Sequence, residues 1–130
     1  MNTYKVDLAT SPYRKINFSR LKNPKFIYRI TKQWIDKIRL KKKNLTVYDL
    51  GCANGELLHY LNHFYKNFQF TGIELNSNFV NVAKNLLKNK KNIVIKKKNI
   101  FNLTKKKRCY NMFRYINYLS RTYYFNQKDS

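Results

Sequence analysis

The segment Val47-Tyr48-Asp49-Leu50-Gly51-Cys52-Ala53-Asn54-Gly55-Glu56-Leu57-Leu58 constrains the fold of this chain more than any other. It reads as a buried strand that ends beside an acidic residue, bends on glycines and enters a helix. Such a bend is expected to make a pocket where backbone amides and a helix N-terminus face a ligand at close range. A second strand-like run, Phe68-Gln69-Phe70-Thr71-Gly72-Ile73-Glu74, also ends in an acid. Strand, glycine turn, helix and a second acid-tipped strand together predict an α/β architecture built on a parallel sheet.

The spacing separates cofactor classes. Holding a pyrophosphate takes three glycines in G-x-G-x-x-G, so that the backbone can approach the phosphates. Here Gly51 and Gly55 flank Ala53 with no later glycine in the helix, and Asp49 would repel a pyrophosphate. An NAD-linked site is therefore disfavoured, whereas a cationic ligand would tolerate Asp49. A plain tight turn capped by Asp49 competes with any cofactor reading. The position of Glu74, roughly twenty residues past the glycines where a ribose ligand belongs, favours the cofactor.

The pattern D-x-G-x-x-x-G followed by an acidic strand end resembles the cofactor motifs of class I S-adenosylmethionine-dependent methyltransferases, over roughly Leu45 to Leu103. The resemblance implies a Rossmann-like parallel sheet, here incomplete: three strands with flanking helices plus an N-terminal helix. It implies that Asp49 and the turn Gly51, Cys52, Ala53, Asn54 and Gly55 hold the methionine part of S-adenosylmethionine, with Asp49 near its ammonium group. Glu74 matches the acid that accepts from the ribose hydroxyls, and Leu75 would pack on the adenine. Asn99 and Ile100 fall where the family often places an Asp against the adenine amino group; the Asn99 amide oxygen can accept the same bond. Ala53 stands where the middle glycine is usual.

Net charge is +22, from 28 Lys and Arg against 6 Asp and Glu. Such a field attracts nucleic acid or another anionic partner. A/T-rich coding also enriches Lys, Asn, Ile and Tyr, but Glu has an A-rich codon too and is scarce. The lysine runs 41–43, 96–98 and 105–107 are not interleaved with aromatics. They are read first as solvated surface, with a small basic RNA-binding protein as the alternative function. The chain lacks an apolar run long enough to span a membrane, and its start lacks a signal-peptide layout. Cys52 and Cys109 form no C-x-x-C pair, so a reduced, cytoplasmic setting is expected.

Three segments are expected: residues 1–44, irregular and then helical; residues 45–104, half of a cofactor-binding domain; and residues 105–130, an atypical tail. Ser11-Pro12 signals a turn, and Asn23-Pro24 a helix start with Asn23 as cap. Phe26, Ile27, Ile30, Trp34, Ile35 and Ile38 give that helix an apolar face expected to pack on the sheet, with Trp34 as core filling. A helix over about Gly55–Tyr65 carries His59 and His63 four apart. A third metal ligand is not evident, and no metal site is expected. Asn76-Ser77 caps a helix whose apolar face is Phe79, Val80, Ala83, Leu86 and Leu87, and Ile93–Ile95 closes a second β-α-β unit. Right-handed crossovers lead to an expectation of helices on both faces of the sheet.

Arg108–Tyr118 is rich in Tyr and Arg and lacks both strand alternation and a clean helical face where a fourth parallel strand is due. With A/T-leaning codons, a one-base shift from Lys107 to Ile116 can encode an Asp-led apolar run. Out-of-frame translation beginning near Lys105–Arg108 is therefore expected, with little methyl transfer by this chain alone. The methyl acceptor is not legible.

Overall fold

The computed structural model describes residues 14–16, 18–41, 43–99, 110–111 and 122–126. Ser11-Pro12, Ile100, Cys109 and most of the tail lie outside these described residues. A 3-10 turn at Phe18–Leu21 precedes α1 (Phe26–Arg39), β1 (Thr46–Leu50), α2 (Glu56–Phe64), β2 (Gln69–Glu74), α3 (Ser77–Leu86), β3 (Ile93–Lys97), β4 (Tyr110–Asn111) and β5 (Thr122–Asn126). The sheet order is β3-β2-β1-β5-β4. The pairs β1–β2 and β2–β3 are parallel, the expected Rossmann-like half. Within the stretch read as lacking strand alternation, β4 pairs with β5, and β5 runs antiparallel to β1, with Thr46 opposite Asn126 and Leu50 opposite Thr122. Its Thr-Tyr-Tyr-Phe run suits a pleated strand, and the open edge of β1 supplies hydrogen-bonding groups to meet it.

The β1–β2–β3 register sets Val47, Phe70 and Ile93 in one row and Asp49, Gly72 and Ile95 in the next. On this face Val47, Phe70, Ile93 and Ile95 share a single core with Leu57, Leu58 and Leu61 of α2 and Val80, Ala83 and Leu87. Among the described residues the helices thus lie together on one face, where helices on both were expected. Right-handed crossovers that step from β1 to β2 to β3 in one direction deliver each helix to the same side. Leu50 and Ile73 are buried from the opposite face, outside that core.

At nine residues α2 is too short to be stable alone. Burial of Leu57, Leu58 and Leu61, at about 1.5–3 kcal/mol each, holds it to the sheet. α3 is capped as its sequence predicts: the Asn76 side chain accepts from the amides of Asn78 and Phe79 at 2.9 and 3.4 Å. α1 departs from expectation. It starts at Phe26 after Lys25, not at Asn23-Pro24, and no side chain caps it. Its buried residues are Tyr28, Thr31 and Ile35, while Phe26 is exposed and Trp34 is only half-buried, with the Lys37 ammonium 5.5 Å from its ring. The helix packs chiefly on α2, where Tyr28 meets Tyr60 at 5.5 Å between ring centroids. Among the described residues no helix is long and apolar enough to cross a membrane.

Candidate functional site

The parallel pairing of β1 with β2 brings their C-terminal tips side by side, Leu50 opposite Ile73. The chain then bends. Gly51 and Gly55 adopt φ of +76° and +78°, and Ala53 between them adopts +47°. All three are left-handed, a region that costs an L-residue about 1–2 kcal/mol, which explains why glycine is usual at the middle position. A Cβ on Gly51 would meet nothing within 4 Å, whereas one on Gly55 would lie 2.5 Å from Cδ1 of Leu87. Gly51 therefore borders open space, and Gly55 is required by the packing of α2 on α3.

Hydrogen bonds stitch the bend to the tip of β2. The amides of Gly51 and Cys52 both donate to the Ile73 carbonyl, at 2.8 and 3.1 Å. The Ala53 amide donates to Oε2 of Glu74 at 3.0 Å, and Oε1 of Glu74 accepts from the amides of Leu75 and Asn76 at 2.8 and 2.9 Å. Gly55 donates to the Cys52 carbonyl, and Glu56 to Oδ1 of Asn54. This differs from the expected row of amides aimed at a ligand: those of Gly51, Cys52, Ala53, Gly55 and Glu56 are all given to protein acceptors. A pyrophosphate would have to break such bonds, while a cation or a hydroxyl donor would not. A carboxylate offers about four acceptor positions. Three at Glu74 are used, and the one remaining, on Oε2, faces no such conflict with a hydroxyl.

The other residues singled out from the sequence divide by orientation. Asp49 is fully buried on the helix-side face of β1, two residues below Gly51. The Cys52 thiol is also buried, so close to Gly72 that a Cβ there would lie 2.7 Å from Sγ; only its backbone belongs to the bend. The Asn54 amide turns inward and donates to the Lys15 carbonyl at 3.2 Å. Leu75 is 59% exposed directly beyond Glu74, a ready apolar platform. Asn99 is half-buried just past β3, in a loop anchored by the Lys98 amide donating to the Glu74 carbonyl at 3.1 Å. His59 and His63 belong to no metal-binding group among the described residues. Burial, with the nearby charges of Lys90, His63 and Lys66, pulls the pKa of His59 down.

Glu56 escaped the sequence reading. It is the first residue of α2 and nearly buried, and its Oε1 accepts from the Tyr28 hydroxyl at 2.8 Å, with Lys25 at 3.3 Å and Arg20 at 3.9 Å. An acid at a helix N-terminus was visible as a favourable dipole contact. Its partners, 28 or more residues upstream, were not. Together with the Asn54–Lys15 bond, this cluster fastens the segment before α1 onto the flank of the glycine bend.

A family model described as a methyltransferase domain matches residues 41–125, reaching into the tail. Over 63 residues, 48% of this chain, the sequence is 33% identical to "Putative methyltransferase 235L" of Invertebrate iridescent virus 6. The match covers 23% of that viral protein's length.

Proposed function

The chain belongs to the methyltransferase-domain family, and on that premise we propose that the tips of β1 and β2 bind S-adenosylmethionine, the usual methyl donor of such domains. The single observation that carries this reading is the 3.0 Å bond from the Ala53 amide to Glu74, which joins the glycine bend and the acidic strand tip into one site. The residues fit the group: the Asp49 carboxylate for an ammonium, one open acceptor position on Glu74 for a ribose hydroxyl, and an exposed Leu75 for an adenine face.

In this proposal Asp49 attracts the ammonium from beneath the bend, and Gly51 leaves room for the methionine portion. Glu74 receives a ribose hydroxyl, while Leu75 and Asn99 border the base. The bound cofactor supplies an electrophilic methyl group, and the chain's own contribution is to hold it in place, since positioning supplies most of the rate in such transfers. The side that should orient an acceptor is occupied at β1 by an antiparallel strand. We therefore propose binding with little transfer by these 130 residues alone. The division into 1–44, 45–104 and an out-of-frame 105–130 is part of the same reading. A gene with one continuous frame, and no Asp-led apolar strand in the shifted one, refutes the last piece.

The test is thermal stabilisation by S-adenosylmethionine or its demethylated product. A ligand at a hundred times its Kd adds about 2.7 kcal/mol to the folded state. Leu75→Ala, at an exposed position, should weaken the shift without lowering the melting temperature of the free chain; NAD should give none. A folded protein that millimolar cofactor fails to stabilise would overturn the proposal.

A further inference from the structure

A second concavity lies at the other end of the strands, where α1 and α2 terminate and β2 has yet to begin. It is an open groove of about 500 Å³, lined by Lys32, Asp36, Lys37, Arg39, Leu40, Phe64 and Tyr65. Its floor is aromatic and held rigidly. Tyr65 is buried and stacks on Phe68 at 4.9 Å with the rings 9° from parallel, and Phe64 packs edge-on against Tyr60 at 5.1 Å. Phe64 still exposes 40% of its surface and Leu40 85%. Lys32, Lys37 and Arg39 line the rim with one carboxylate, and that carboxylate is occupied: Lys32 donates to Oδ2 of Asp36 at 2.8 Å, the Tyr65 hydroxyl to Oδ1 at 2.7 Å, and Arg39 lies 3.8 Å from Oδ1. The Lys32 ammonium also lies 4.9 Å from the centre of the Phe64 ring, and that of Lys37 lies 5.5 Å from the Trp34 ring. Burial pushes Asp36 up, but the bonds from Lys32 and Tyr65 and the charges of Lys32 and Arg39 outweigh it and hold the carboxyl below its usual range. Asp36 therefore stays an anion at neutral pH and fixes the rim, leaving positive charge in excess.

We infer that this groove binds one unstacked nucleotide of a single-stranded nucleic acid, its base against Phe64 and Leu40 and its phosphates against Lys37, Arg39 and Lys32. The volume is that of small-ligand sites, about 300–1,000 Å³. An aromatic floor beneath a cationic rim is the arrangement that recognises single strands, because every base offers a π face and every linkage a charge. An acidic peptide would satisfy the cations but leave Phe64 and Leu40 wet. A duplex keeps its bases stacked out of reach. The exposed Lys41 and Lys43, just beyond Leu40, continue the basic track along which neighbouring phosphates would run. The groove is at the opposite end of β1 and β2 from the glycine bend, so the inference does not rest on the cofactor reading.

Fluorescein-labelled oligouridylate of twelve residues, titrated into the full chain and followed by anisotropy at several salt concentrations, tests it. Phe64→Leu should weaken binding by at least about fivefold, the low end for one lost base stack. Lys37→Gln should reduce the slope of log affinity against log salt by about 0.7, one phosphate contact on a single strand. Lys84→Gln, on exposed α3, should change affinity far less than either. If Phe64→Leu also lowers the melting temperature, Leu40→Ser carries the same prediction at a position that supports no packing. Overturning results are wild-type affinity in the groove variants, which would mean diffuse attraction by the whole surface, or equal competition by twelve-residue oligoglutamate, which would mean an acidic-peptide site.

Discussion

The two glycines of the bend make different demands, and alanine at each separates them. Gly51→Ala places a methyl in open space, so its cost is the left-handed backbone alone, about 1–2 kcal/mol. Gly55→Ala carries the same backbone cost and also sets a Cβ 2.5 Å from Cδ1 of Leu87, a buried side chain that must shift to make room. Overpacking of that kind adds about 1–3 kcal/mol, for a total of about 2–5 kcal/mol. The difference between the variants therefore measures the clash. Urea denaturation with the slope held constant reads it directly as a change in midpoint. Leu87→Ala in the Gly55→Ala background should show a coupling of opposite sign, because the residue in the way has gone. Equal costs for the two single variants, or additivity in the double, would refute the assignment of Gly55 to helix packing. Ligand binding should rank them the other way. Gly51→Ala should abolish cofactor stabilisation although it unfolds the protein less.

Two more outcomes follow from buried groups. Tyr28→Phe removes the hydroxyl that donates to Glu56 at 2.8 Å and should destabilise the chain by about 1.5–3 kcal/mol, as for a bond to a charged partner; Lys25→Met, at a side chain 41% exposed, should cost less than about 1 kcal/mol in the same denaturation assay. The pKa of His59 is lowered in the folded state by burial first and then by Lys90, so the unfolded chain binds the proton more readily. Stability is therefore complete above the unfolded value of 6.5 and falls as pH drops from there through the folded value. His59→Gln should flatten the urea midpoint measured between pH 7.5 and pH 5.5, and an unchanged slope would show that other groups set it.

The β1-α2-β2-α3-β3 core was legible because its signals are local: an apolar run, an acid, glycines, an Asn76 cap, and then the next run. The same locality limited the rest. Tyr28 lay outside the apolar stripe read on α1, yet it is fully buried, and Glu56, distant in sequence, receives its hydroxyl. The start of α1 was placed at Asn23-Pro24 from cap chemistry that the chain does not use. At the bend, glycine content indicated the backbone shape correctly, but which amides remain for a ligand depends on the register of β2, which composition does not report. Helices on both faces were expected from crossover handedness alone, although the order of strands decides the side. β5 was not legible either, since an antiparallel partner for β1 needs neither a helix before it nor the apolar run of a parallel strand.

The direction of β5 has one more effect. A parallel neighbour would finish its traverse at the rim shared with the glycine bend and hand its last residue, and whatever comes next, to a bound cofactor. Because Leu50 lies opposite Thr122 and Thr46 opposite Asn126, the chain instead sets out from that rim and travels away from it. Thr122 thus holds the frontage that the final residue of a parallel strand would take.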